Sequence, residues 1–125
     1  MQISKVMEAV ALAAMAAFAA PALGQAYPTK PIRIVAPSTP GDAPDVIARL
    51  VADKLSVALG QQVVVENRPG AGGVVGSESV AKSVPDGYTL IMGNAGSHGI
   101  NAAVYSKLPY DIQRDFAPVS QIDRP

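Results

Sequence analysis

At 125 residues the chain has room for one domain or part of a larger one. The absence of cysteine excludes a disulfide scaffold, a thiolate metal site, a cysteine nucleophile and a lipidated cysteine anchor. Ten basic residues balance ten acidic ones, so the electrostatic footprint of a nucleic-acid binder is missing, as are a polybasic membrane patch and an acidic tail.

The first 26 residues, "MQISKVMEAVALAAMAAFAAPALGQA", read as a secretory signal peptide. Lys5 lies near the start, an Ala-rich run spans Ala9 to Ala20, and Gly24 and Ala26 are the small residues around an expected cleavage point after Ala26. That run is about a dozen residues, short of the roughly 20 needed for a permanent membrane helix. Glu8 interrupts the pattern, so an uncleaved anchor or a buried Ala-rich helix stays open as an alternative. Residues 27–125 form the expected mature part.

In chain order this part alternates strand and helix patterns. "IRIVAP" (32–37) is a β-branched strand broken by proline. From Asp45 to Leu59 the residues Ile47, Leu50, Val51, Leu55, Ala58 and Leu59 recur at helical spacing, leaving Arg49, Asp53 and Lys54 mostly opposite, and Gly60 stops the helix. "QQVVVE" (61–66) is a second strand whose unbroken valines suit a sheet covered on both faces. The Gly-rich loop "NRPGAGG" (67–73) leads into a weaker helix over 74–83, and the turn Pro85-Asp86-Gly87 into a third strand over 88–92. "GNAGSHGIN" (93–101) is another polar loop; a short helix or turn around Ile112 to Phe116 and a fourth strand near 117–122 follow. The order βαβαβ predicts an α/β layer structure of parallel strands joined by right-handed crossovers.

Ligands of an open parallel sheet collect beyond the carboxyl ends of its strands, where strand order reverses. The loops 37–44, 67–73 and 93–101 each follow a strand and are candidates for one shared site; the plainer alternative is three ordinary loops with helix caps. Helix N-termini there offer unpaired N–H groups and partial positive charge suited to carboxylates and phosphates, and Asn94, Ser97 and Asn101 would add directional hydrogen bonds. Asp42 and Asp45, three apart, form either an acid/base pair or, as favoured, a helix start with Asp42 at the N-cap, Asp45 at N3 and Pro44 in the first turn.

Motifs of enzymes are weak. "GAGGVVG" (70–76) misses the dinucleotide spacing from every starting glycine, and no P-loop lysine follows. His98 is the only histidine; a triad needs a nucleophile and an orienting carboxylate beside it, and Ser97 is a poor partner because neighbouring side chains usually diverge. A ligand-contacting or loop-shaping role for His98 is favoured. "GNAGSHG" does not fit the G-x-S-x-G elbow, and one histidine without cysteine makes zinc improbable. Neither metal nor cofactor is expected, and no catalytic residue is assigned. Tyr88, Tyr105 and Tyr110 are too scattered for a base-stacking platform and are expected to pack half-buried.

Six blocks, "YPTKPIRIVAP", "PGDAPDVIARLVADKL", "ALGQQVVVENRPGAGG", "AKSVPDGYTLIMG", "GSHGIN" and "LPYDIQRDFAPV", cover nearly everything after Ala26. In order and spacing they resemble the N-terminal part of the TctC or Bug receptors, the periplasmic solute-binding proteins of tripartite tricarboxylate transporters. The resemblance implies an α/β, periplasmic-binding-protein-like (type II) domain with a mostly parallel sheet and flanking helices, of which residues 27–125 would form roughly the first half of domain 1. It implies a periplasmic receptor, monomeric and not an enzyme, that closes on a small organic acid and delivers it to cognate membrane permease subunits. It places the ligand on Ser38, Thr39, Gly41, Asp42 and Ala43 after the first strand and on Asn94, Ala95, Gly96, Ser97 and His98 in the G-S-H loop, largely through backbone N–H groups and bridging water. The helix after "NRPGAGG" is implied to lie close to the same cleft.

Three departures from the family pattern set further expectations. Ser38 stands where the family generally has an aromatic residue, and Asp42 replaces the second glycine of a usual Pro-Gly-Gly. If Asp42 caps the helix, its carboxylate occupies the N–H groups a ligand acid would want. The chain stops at Pro125, near the first crossing into a second domain, so a truncated copy that binds weakly or not at all is one expectation. An exported α/β enzyme fragment, hydrolase-like or nucleotide-using, is the alternative function, and a domain kept only for contact with a membrane partner is a third.

Overall fold

The computed structural model describes residues 26–122 together with Ile3 and Gly24, so the leader assigned to residues 1–26 lies almost wholly outside the described residues. Strands β1 (Ile32–Ala36), β2 (Val63–Asn67) and β3 (Thr89–Ile91) pair in parallel in the order β2-β1-β3. Ile34, at the middle of β1, faces Val65 on one side and Leu90 on the other. Helix α1 (Ala43–Leu59) joins β1 to β2, α2 (Val74–Ala81) joins β2 to β3, and the single turn α3 (Asn101–Val104) follows. The chain moves outward from β1 to β2 and then back past β1 to β3. Strand order therefore reverses beside the carboxyl ends of β1 and β3, where a parallel sheet opens a crevice.

Side chains alternate across β1. Ile32, Ile34 and Ala36 pack with Ala48 and Ala52 of α1 and Val63 of β2, flanked by Val51, Leu55, Leu90 and Met92. Burying each isoleucine contributes about 1.5–3 kcal/mol. Val35 is fully buried on the other face, towards which Pro37 and α2 also lie. There the Arg33 guanidinium donates to Glu66 at 2.9 Å, and Arg68 donates to the same carboxylate at 2.6 Å. Alanines 48 and 52 let α1 approach the sheet closely. Ser56 fastens its end, donating to the Ala52 carbonyl and accepting from the Val63 N–H.

Three expectations are corrected. The face of α1 against the sheet runs through Asp45, Ala48 and Ala52, so Leu50 is 63 % exposed, and the apolar positions alone misjudged the face. Only one side of β2 is covered by α1, leaving Val64 44 % exposed. Residues 117–122 form no strand; what precedes them is a turn, built by Asp111, whose carboxylate accepts from the Gln113 and Arg114 N–H groups.

At the amino edge of the sheet, the Tyr27 hydroxyl donates to the Gly87 carbonyl at 2.7 Å and the Tyr88 hydroxyl accepts from the Thr29 N–H at 2.9 Å. Lys30 pairs with Asp86 at 3.0 Å and lies over the Tyr88 ring. The segment leading into β1 is thereby tied to the turn leading into β3. Tyr88 is half-buried as expected, whereas Tyr110 is buried and Tyr105 is exposed.

Candidate ligand-binding crevice

The loop from β1 into α1 holds Ser38, Thr39, Gly41, Asp42 and Ala43. Its turn closes with the Asp42 N–H donating to the Thr39 carbonyl at 3.2 Å, and the Thr39 hydroxyl donates to the Asp42 carboxylate at 2.7 Å. Asp42 is the N-cap residue of α1 by position, with extended backbone, but its side chain makes no capping bond. The expectation that its carboxylate fills the helix N-terminus is thus corrected: the Thr39 hydroxyl draws it back along the loop. Pro44 lacks an N–H, and those of Ala43 and Asp45 precede any intrahelical acceptor, so the first turn of this 17-residue helix keeps donors without a side-chain cap. Such an end carries roughly half a positive charge.

Asp45 works backwards from the helix. It is only 3 % exposed, and its carboxylate accepts from the Gly41 N–H at 2.8 Å, the Asn67 side-chain amide at 2.9 Å and the Arg49 guanidinium at 2.9 Å. These bonds, Arg49 foremost, then Gly41 and Asn67, hold its pKa down to about 2 against the opposing effect of burial. An acid/base role is thereby disfavoured, since the group is a fixed anion at neutral pH. Asn67, the last residue of β2, also donates to the Ser38 carbonyl at 3.3 Å and accepts from Arg49 at 3.0 Å.

The loop from β2 into α2 is built differently. The Gly73 N–H donates to the Gly70 carbonyl at 2.9 Å, and Val75 and Val74 donate to Gly70 and Ala71, so the donors before α2 are satisfied within the chain. Gly73 adopts φ +93°, and a Cβ there would stand 3.0 Å from Ser97 Cβ and 3.4 Å from Pro37 Cβ. At Gly76 a Cβ would meet the Arg68 carbonyl at 2.8 Å and Pro37 Cα at 2.9 Å. Both glycines let this loop and α2 close directly on the end of β1.

Beyond β3, Gly96–Ile100 form a wide π-helical turn that runs into α3. Asn94 accepts the Ser97 N–H on its side chain at 2.8 Å, and the Asn94 N–H donates to the Ser97 hydroxyl at 3.1 Å. Contrary to expectation, the adjacent Ser97 and His98 side chains do meet, Oγ to Nδ1 at 2.8 Å, because the widened turn brings them together. Ser97 is nevertheless 1 % exposed, and no carboxylate is bonded to His98 among the described residues, so an accessible triad is not assembled. Burial pushes the His98 pKa down, keeping the ring neutral at neutral pH, and Phe116 meets it edge-on. Tyr110 anchors the turn from behind, donating to the Ser97 carbonyl at 3.1 Å.

Three parallel strands put all three loops at one edge of the sheet. Pro37, Gly73 and Ser97 meet there, Asn101 donates to the Gly72 carbonyl at 2.9 Å, and Tyr105 donates to the Ala71 carbonyl at 3.3 Å. Among the described residues no hydrogen bond runs directly between the Ser38–Ala43 and Asn94–His98 groups; Gly73 lies between Ser97 and Pro37, the residue before Ser38. Sequence reasoning missed Asn67 and the buried bracing role of Asp45, for which an isolated asparagine and a helix-start aspartate gave no distinguishing signal.

Comparison with known proteins agrees with this architecture. Residues 47–125 match the family described as the tripartite tricarboxylate transporter family receptor. Protein BugT of Bordetella pertussis is 42% identical over 110 residues, covering 87% of this chain and 34% of that protein. Among solved structures, MatC from Rhodopseudomonas palustris with bound malate superposes with a TM-score of 0.71 at 40% identity, covering 74% of this chain and 32% of that one. Another R. palustris protein, with adipate, gives 0.67 at 41% identity over 70% of this chain and 29% of that one. The chain spans about a third of the length of the relatives it matches. With the parallel sheet, the strand-order reversal and these matches agreeing, the chain belongs to the tripartite tricarboxylate transporter receptor family of periplasmic solute-binding proteins.

Proposed function

We propose that this chain forms one wall of a receptor for a small organic acid, and that the acid's carboxylate is held at the crevice by Ser38, Thr39, Gly41, Asp42 and Ala43 on one side and Asn94 to His98 on the other. The first turn of α1 carries this reading, because its N–H groups have no side-chain cap and its buried acidic residue, Asp45, is neutralised by Arg49. The ligands named for two neighbours, malate and adipate, are of the fitting class. Residues 27–125 are read as the N-terminal part of solute-binding domain 1, with residues 1–26 as the leader that directs export to the periplasm. Delivery to permease subunits, a monomeric state and absence of catalysis complete the reading. The burial of Ser97 weighs against a serine-enzyme alternative.

Titration of isotope-labelled chain with millimolar malate and adipate, followed by amide NMR, tests the assignment. Shifts should centre on Gly41, Ala43 and Asp45 and on the 94–98 turn. Shifts confined to other surfaces, or none, would sink it.

A further inference from the structure

We propose that Asp45, Asn67 and Arg49, all outside the Ser38–Ala43 and Asn94–His98 groups, are positioning residues that set the shape of the Ser38–Gly41 loop for ligand; this rests on the reading of the crevice given above. Two backbone groups near the ends of that loop, the Ser38 carbonyl and the Gly41 N–H, are gripped by side chains from outside it, at 3.3 Å by Asn67 and 2.8 Å by Asp45. The two side chains are themselves bonded at 2.9 Å, and Arg49 donates to both. Three side chains thus close a circuit around one short loop.

The placement of each member fits this role. Asn67 ends β2 and is in register with Ala36 at the end of β1, so the loop's start is referred to the sheet itself. Asp45 sits in the first turn of α1, where an anion is favoured by the helix end, and Arg49 one turn later neutralises it. A ligand carboxylate arriving at the Ala43 N–H therefore meets a compensated Asp45 rather than a bare charge. A loop held ready in this way spends less binding energy on ordering.

Native-state hydrogen exchange of the Gly41 amide and calorimetric titration with malate test the inference on the full chain, comparing wild type with Asp45→Asn and Asn67→Ala. Glu66→Gln serves as a control that loosens the same strand without touching the loop. Gly41 exchange should rise about tenfold in Asp45→Asn, and less in Asn67→Ala, while the Val35 amide keeps its protection. Malate affinity should fall about tenfold in both brace variants and stay unchanged in Glu66→Gln. Unchanged Gly41 exchange overturns the brace, and lost protection with unchanged malate affinity overturns its positioning role. Should Asp45→Asn fail to fold, Asn67→Ala, which removes no charge, decides both points. Absence of malate and adipate binding by the wild type would bring down the ligand reading instead, and Gly41 exchange would then decide the brace alone.

Discussion

The two strand-to-helix crossings of this small sheet solve the same geometric problem in opposite ways. Between β1 and α1 the loop is shaped by side chains reaching in from elsewhere, and the first donors of the helix are left unpaired. Between β2 and α2 glycines at positive φ turn the loop's own carbonyls onto the first donors of the helix, Val74 and Val75, while Asn101 and Tyr105 bind the loop from the far side. One crossing is open to an anion; the other is a wall packed against it. Parallel topology puts both at the same edge, so the difference in local chemistry, not position, separates a crossing with open donors from a closed one.

The packed crossing should be the easier to break. Gly76→Ala forces a methyl group within 3 Å of the Arg68 carbonyl and Pro37 Cα, both backbone atoms. It should lose about 2–3 kcal/mol of stability in urea unfolding, and a loss near zero would show that α2 can slide away from β1. The open crossing should instead be acid-sensitive. Because the Asp45 pKa is lowered to about 2 in the folded chain, the stability it contributes is present above its unfolded pKa of about 4 and is lost as pH falls towards about 2. Circular dichroism stability curves should decline across that window for wild type and be flatter there for Asp45→Asn.

A smaller effect concerns ligand rather than stability. Asp42 has no cationic partner among the described residues, only the Thr39 hydroxyl. Asp42→Asn should tighten malate binding by several-fold, up to about tenfold, and more strongly at low salt; weaker binding would mean that the carboxylate helps hold the ligand. The smallest effect returns to the packed crossing. Ala71 sits at φ +47°, a left-handed conformation costly for a residue with a Cβ. Ala71→Gly should raise stability by about 0.5–1 kcal/mol in the same urea assay.

Much of the architecture was legible because strands and helices carry different periods. The β-branched run at 32–36, the helix stop at Gly60 and the order of elements all follow from residue type and spacing. The supposed strand at 117–122 does not form, since a few apolar residues without a paired neighbour carry no register. Leu50 misled because helical spacing identifies an apolar stripe without saying which edge of it meets the sheet, and here the small residues Ala48 and Ala52 decide the approach. At the crevice, the loops could be found from the glycines. The Asn67 link across to Ser38 and Asp45 could not, because it joins residues 22 and 29 positions apart. Nor could the Ser97–His98 contact, which depends on a turn wider than an α-helix.

The cluster of Tyr27, Thr29, Lys30, Asp86 and Tyr88 at the amino edge has a practical consequence. A surface tether or fluorophore attached at Ala26 enters from the amino end of a central strand whose five residues span about 16 Å, and the three loops lie at its carboxyl end. Immobilised that way, the molecule turns its three loops away from the support, so a biosensor built on this handle tests the proposed crevice directly.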